Sequence, residues 1–155
     1  MVTTTRRTTY TTKKIGTKGT TYTARTTDEI LVVAKNVRGI FSKITAPLAN
    51  NDINIECYTS YTWGDEVAFR LVTDNNKKAI DLFTAAGYNV QVHPVALWYT
   101  ENTPGTLDKA TTALDKAKID TYSSYMTAVP NSSTVIVTFN TNNTTKTVNI
   151  LNGVY

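Results

Sequence analysis

Two turns, sixty-six residues apart, gather the groups in this chain best suited to hold a small polar ligand. Asn36-Val37-Arg38-Gly39 follows the apolar run Ile30-Leu31-Val32-Val33-Ala34 and precedes Ile40-Phe41-Ser42-Lys43-Ile44. Asn102-Thr103-Pro104-Gly105 follows Val95-Ala96-Leu97-Trp98-Tyr99-Thr100-Glu101 and precedes Thr106-Leu107-Asp108-Lys109-Ala110. Each copy reads strand, turn, helix. An asparagine side chain both donates and accepts hydrogen bonds. A glycine permits positive φ and the close approach of another backbone or a ligand. The first amides of the helix that follows lack intrahelical acceptors and favour a carboxylate. Gly39, Ile40 and Phe41, with Gly105, Thr106 and Leu107, are therefore the candidate anion-facing positions. The chemistry is recognition rather than bond making. One Asn-x-x-Gly turn is a weak signal, and its recurrence in matching surroundings is a much stronger one.

Catalytic constellations lack their parts. The single histidine, His93, precedes Pro94 at the junction between the two copies, where a structural or surface role outranks that of a base. The single cysteine, Cys57, falls on the apolar face set by Ile53 and Ile55 and reads as inert core. Glu56 and Glu66 flank a hairpin, and nothing positions them as an acid/base pair. One histidine and one cysteine make no metal-ligand cluster, and no P-loop or dinucleotide-binding glycine pattern is present. No enzyme activity, metal or cofactor is expected.

The 155 residues suit one domain of common size or two small ones sharing a core. The longest aliphatic run, Ile30 to Ala34, is far short of a membrane span. The N-terminus has no apolar signal-like segment, so a cytoplasmic location without membrane contact is the default expectation. The glycosylation-type triplets at Asn131, Asn142 and Asn143 are then chance products of a Thr- and Asn-rich composition. The net charge of +4 is unevenly placed: residues 1–27 hold six bases and no acid, whereas the remainder holds twelve acids against ten bases. A Thr-rich basic tail with Tyr10 and Tyr22 offers phosphate contacts and stacking to nucleic acid. A solvated extension, or a strand packed on the chain's own body, ranks ahead of that reading. Removal of residues 1–27 is expected to leave the body folded.

The elements that must carry the turns follow from periodicity. Ile30–Lys35 reads as a buried strand, and Ile40, Phe41, Ile44 and Leu48 recur at helical spacing. Pro47 should kink that helix or shorten its last turn. Ile53–Thr62 and the alternating Val67, Phe69 and Leu71 are strands joined at Gly64-Asp65. Asp74-Asn75-Asn76 caps a second helix carrying Ala79, Ile80, Leu82, Phe83 and Ala86 and ending at Gly87, and Val90 and Val92 begin a last strand. Strand, helix, strand, strand, helix, strand is the ferredoxin-like order. The second copy repeats it: a strand over 95–100, a helix marked by Leu107, Ala110, Leu114 and Ala117, and strands over Ile119–Thr127 and Thr134–Phe139. Val148, Ile150 and Leu151 echo Ile80, Leu82 and Phe83, yet Thr144, Thr145, Thr147 and Asn149 are poor helix formers, so helix and strand both remain open there. The second unit is expected to have little or no final strand, and the N-terminal Thr segment is one candidate to pair with that edge.

The stretches "ILVVAKNVRGIFSKITAPLANNDINIECY", "VAFRLVTDNNKKAIDLFTAAGYNV" and "VALWYTENTPGTLDKATTALDKAKIDTYSSY" resemble a tandem ACT repeat, an amino-acid-sensing regulatory module. The resemblance divides the chain into an N-terminal extension (1–27), a first unit (28–93) and a second unit (94–155). It implies an α+β sandwich of tandem ferredoxin-like βαββαβ units, two units side by side in an eight-stranded antiparallel sheet with helices on one face. It also implies an amino acid or similar small carboxylate bound at the seam. By analogy with the regulatory domain of D-3-phosphoglycerate dehydrogenase-like proteins, Asn36 would face Asp120 across one seam and Asn102 would face Asn54 across the other. The histidine those domains often carry two residues before the turn asparagine is replaced by Ala34 and Thr100, which puts serine in doubt as the effector. The two turns are expected at the same end of the sheet or close across a seam. The implied role is a non-enzymatic regulator, as a homodimer or with an enzyme partner. Alternatives are a regulatory subunit of an enzyme such as acetohydroxyacid synthase, or nucleic-acid binding through the tail.

Overall fold

Two long antiparallel strands form the axis of the molecule, and both halves of the chain are built on them. The computed structural model describes residues 22–128 and 132–154. In order these form β1 (Thr23–Lys35), α1 (Ile40–Ala49), β2 (Ile55–Trp63), β3 (Glu66–Thr73), α2 (Asn76–Ala85), β4 (Asn89–Glu101), α3 (Thr106–Lys116), β5 (Thr121–Ala128), β6 (Thr134–Thr141) and α4 (Thr144–Leu151). The six strands form one antiparallel sheet in the order β2-β3-β1-β4-β6-β5. This is an α+β fold of tandem ferredoxin-like units.

The register shows how two units share six strands instead of eight. β1 pairs with β4 from Thr23 to Val33 but with β3 only from Ile30 to Lys35. β4 pairs with β6 only from Ala96 to Glu101. The first unit is thus β2, β3, the second half of β1 and the first half of β4. The second unit is β5, β6, the second half of β4 and the first half of β1. Residues 23–28 occupy the fourth strand position of the second unit, beside the second half of β4. Residues 23–27, read from the sequence as part of an extension, therefore lie in the centre of the sheet, while residues 1–21 fall outside the described residues. The expectation that removing residues 1–27 leaves the body folded is corrected accordingly, because that cut takes half of a central strand.

Each unit packs its helices on one face of the sheet. In the first, Ile30, Val32, Phe69 and Leu71 meet Ile44 and Leu48 of α1 and Ala79 and Phe83 of α2. In the second, Ala24, Trp98, Val137 and Phe139 meet Ala110 and Leu114 of α3 and Leu151 of α4. The Thr-rich stretch at 144–151 is a helix. Asn143 caps it by accepting from Lys146 N, Thr147 Oγ1 donates to Asn143 O and lies 2.8 Å from Thr141 Oγ1, and Leu151 is buried. Its hydroxyls are satisfied locally and its apolar face has a core to cover, so tertiary packing overrides weak propensity. α1 continues two residues beyond Pro47 and ends at Ala49.

The other face of the sheet curls on itself. Thr138 Oγ1 donates to Cys57 Sγ at 3.2 Å, and Cys57 Sγ lies 3.6 Å from Thr127 Oγ1, so edge strands β2 and β5 approach each other. Cys57, Val72, Val95 and Leu97 form the core of this seam, with Tyr99, Tyr125 and Ile136 against it. Cys57 is buried there and not beside Ile53 and Ile55, which pack under the helices, because a register shift between Ile55 and Cys57 turns the strand over; the face read from the sequence is corrected, its burial is not. Two ion pairs cross the strands: Arg70 with the fully buried Glu29, and Arg25 with Glu56. Burial opposes the Arg70 charge, but the Tyr61 hydroxyl and Glu29 carboxylate outweigh it and hold the guanidinium above its usual pKa. Burial, reinforced by the negative charge of Glu29, pushes the Tyr125 hydroxyl well above the usual tyrosine range.

Candidate functional site

Both Asn-x-x-Gly turns are strand-to-helix connections, and both glycines adopt the left-handed backbone. Gly39 has φ 82 and Gly105 has φ 88. A Cβ built at either would meet nothing within 4 Å, so backbone conformation and not lack of room selects glycine. No side chain caps α1 or α3. Asn75 and Asn143, by contrast, cap α2 and α4, accepting from Lys78 N at 3.2 Å and Lys146 N at 3.0 Å. The α1 and α3 amides that lack an intrahelical acceptor therefore keep donor capacity that the other two helices spend on caps.

The asparagines brace the turns. Asn36 N donates to Asp65 O at 2.7 Å and Asn102 N to Ser133 O at 3.1 Å, tying each turn to the hairpin beside it. Asn102 Nδ2 also donates to Ser132 O, committing half of its amide to the β5–β6 loop. Asn54 and Asp120 bind elsewhere. Asn54 N donates to Asp74 Oδ1, and Asp74 N returns the bond to Asn54 O. Asp120 O accepts from Asn142 N, and its Oδ2 accepts from Asn142 Nδ2 at 2.9 Å. Each pair ties the entry of one strand to the exit of its neighbour.

These positions correct the expected seam. β1 and β4 are antiparallel, Thr23 lying opposite Tyr99 and Val33 opposite Asn89. The two turns therefore sit at opposite ends of the strand pair, sixteen register positions apart, roughly 50 Å along the strands at ~3.3 Å per residue. Asp120 precedes the edge strand β5 and is level with the midpoint of the β1–β4 pair, since Asn142 holds it and Thr144 Oγ1 donates to Pro94 O, opposite Asp28. Asn36 is eight residues along β1 from Asp28, roughly 26 Å. Within one chain Asn36 does not meet Asp120, and by the same geometry Asn102 does not meet Asn54.

The second turn opens instead into a pocket of its own unit, with a volume of about 170 Å³. Its walls are Trp98, Leu107, Met126, Val135 and Val137, and its rim carries Glu101, Asn102, Thr103, Gly105, Thr106 and Asp108. Thr106 is buried, with its hydroxyl 3.0 Å from Thr103 Oγ1 and 3.4 Å from Glu101 Oε1. Four sequence-predicted residues, Asn102, Gly105, Thr106 and Leu107, thus share one cavity. At the first turn, the Phe41 ring stands edge-on to Tyr58 and Phe69, with centroids 5.3 and 5.7 Å away. Ile40 faces a different and wider groove, of about 460 Å³, with Lys35, Lys43 and Tyr88. The sequence reading missed Trp98, Glu101, Asp108, Met126, Val135 and Val137 as lining residues. Strand alternation places Trp98, Val135 and Val137 on the helix-facing side and was the available signal. Met126 carried none, because the approach of β5 depends on the sheet. Among the described residues no group of three His, Cys, Asp or Glu side chains is placed to hold a metal ion, and no helix is long and apolar enough to cross a membrane.

No protein-family model matches the sequence, and no curated protein matches it. Solved structures do. A protein from Bacteroides thetaiotaomicron superposes with a TM-score of 0.76 at 20% identity, covering 84% of this chain and 89% of that one. The ligand-free regulatory subunit of aspartate kinase from Thermus thermophilus gives 0.58 at 13% identity, covering 85% and 96%. A putative C-terminal regulatory domain of aspartate kinase from Porphyromonas gingivalis gives 0.51 at 15%, covering 85% and 95%. The fold is thus one found in regulatory domains of aspartate kinase, in keeping with the resemblance to tandem ACT repeats.

Proposed function

We propose that this protein is a non-enzymatic regulator that binds an amino acid or similar small carboxylate at the Asn102–Gly105 turn. The observation that carries the reading is the start of α3, uncapped by any side chain and opening onto a pocket rimmed by carboxylates. The ligand carboxylate accepts from the Leu107 and Asp108 amides, where the helix dipole favours negative charge. The ligand ammonium lies toward Glu101 and Asp108. Those two acids repel a plain carboxylate and tolerate a zwitterion, so they select for an amino acid. Charge-assisted bonds contribute roughly 1.5–3 kcal/mol each. Two or three of them support micromolar affinity, about −8 kcal/mol, after association costs.

The regulatory role extends to a partner. Similar folds occur as regulatory subunits and domains of aspartate kinase, which favours an enzyme of amino-acid metabolism over nucleic acid. The mouth of the pocket faces outward, and the docked enzyme or a second copy of this chain closes it. A thermal-shift screen against the twenty amino acids tests the reading, since a ligand that binds the native state must raise stability. The expected result is a rise in Tm with at least one amino acid, reduced in Asn102→Ala. No amino acid binding below millimolar concentration by calorimetry would overturn it.

A further inference from the structure

The two turns have the same backbone but different walls. Counting along equivalent elements, Leu107 corresponds to Phe41, Ser124 to Tyr58 and Val137 to Phe69. In the first unit these three positions are aromatic, and the Phe41 ring packs against the other two. In the second they are leucine, serine and valine, and a cavity of about 170 Å³ lies beside Leu107 and Val137. An apolar cavity of about 150 Å³ is large enough for a benzene-sized guest, so this one matches an aliphatic or thioether side chain.

Resting on the amino-acid reading above, we infer that of the two turns the second alone is a ligand site, selective for an amino acid with an aliphatic or thioether side chain. Phe41 is the built-in occupant of the equivalent place in the first unit. Trp98, Val135 and Val137 form the floor that receives the ligand side chain, and their aromatic and aliphatic surfaces suit a hydrocarbon or thioether and not a charged group. A ligand ending in an ammonium, guanidinium or hydroxyl would bury that group among hydrocarbon and lose affinity. The ligand's own side chain completes in the second unit the packing that Phe41 completes in the first.

Calorimetry on the full chain tests this with L-leucine, L-methionine, L-lysine and L-serine as probes. The expected result is one L-leucine or L-methionine per chain, with L-lysine and L-serine about tenfold weaker or more, the scale set by burial of a leucine-sized side chain. Leu107→Phe is expected to lower L-leucine affinity by a similar factor, because it installs the first unit's plug. Phe41→Ala is expected to raise the stoichiometry toward two. Phe41 is 49% exposed, so this variant should remain folded, and an unchanged circular dichroism spectrum checks that. Equal affinity for L-lysine or L-serine, or an unchanged affinity in Leu107→Phe, would overturn the side-chain selectivity while leaving amino-acid binding intact. A stoichiometry still at one in folded Phe41→Ala would overturn the role of Phe41. Failure of all twenty amino acids to bind the wild type would sink the functional reading itself.

Discussion

The two units repeat each other's framework down to single hydrogen bonds and differ in what fills it. Lys78 Nζ donates to Asn51 O in the first, and Lys146 Nζ donates to Ala117 O in the second. Asn76 Nδ2 donates to Asp28 O in the first, and Thr144 Oγ1 donates to Pro94 O in the second. Among the described residues the two non-glycine positions with positive φ, Asp52 and Lys118, occupy equivalent places after α1 and α3. Side chains on the seam diverge instead. Glu29 and Arg70 of the first unit correspond to Val95 and Thr138 of the second, and Tyr125 of the second corresponds to Thr59 of the first. Backbone geometry fixes the repeat, because turns and caps accept few residue types. Seam and pocket are free to diverge because many side chains fill the same volume. A duplicated frame can thus leave one turn open onto a pocket and pack an aromatic ring at the other.

The strongest way to break the equivalence is to take away the strand half that β1 lends. Deleting residues 1–28 removes the partner of β4 from Thr23 to Asp28 and the Ala24 contact with Trp98. The second unit should lose cooperative unfolding, with Trp98 fluorescence shifting to the red, compared with a chain beginning at Tyr22. Retained near-native emission would contradict the shared-strand architecture.

Next in size is the buried ion pair. Glu29→Val, which copies Val95, leaves Arg70 without its carboxylate and should cost about 3–5 kcal/mol in chemical denaturation. The double variant Glu29→Val/Arg70→Thr copies both positions of the second unit and should recover most of that loss. If the double variant is no better than the single, the pair is not the source of the penalty.

Glycine substitutions measure the turns. Gly39→Ala and Gly105→Ala each force a Cβ into left-handed backbone and should each cost about 1–2 kcal/mol. Their effects should agree closely, since φ is 82 and 88 and both sites are open. A large inequality in denaturation midpoints would show that the frames differ more than their geometry indicates.

The smallest effect is alkaline. Tyr125 has its hydroxyl pKa raised in the folded chain, by burial and then by Glu29, from an ordinary value of 10.0. The folded state keeps that proton where the unfolded chain releases it. The contribution is therefore fully present below about pH 10 and is lost as the pH rises further. Tyr125→Phe should have a flatter Tm-versus-pH curve above pH 10, and an identical slope would show that the hydroxyl is not buried in solution.

Much of this was legible beforehand because it is local. The apolar run at Ile30–Ala34, the helical spacing of Ile40, Ile44 and Leu48, the Asn75 cap and the recurring glycine follow from periodicity and φ preference, which a short window of residues determines. The repeat predicted the ferredoxin-like order and put Asn102, Gly105, Thr106 and Leu107 in one place. Tertiary structure decided the rest. Only the antiparallel pairing of β1 with β4 sent the two turns to opposite ends, parting Asn36 from Asp120 and Asn102 from Asn54. Only the core beneath α4 resolved the Thr-rich stretch into a helix, and only pairing with β4 drew residues 23–28 into the sheet. The pocket likewise depends on whether a ring on one element reaches two rings on others, as Phe41 does and Leu107 does not. Local chemistry chooses the conformation of a turn, but contacts between residues distant in sequence decide what faces it, and one unit's pattern cannot specify where its neighbour will pack.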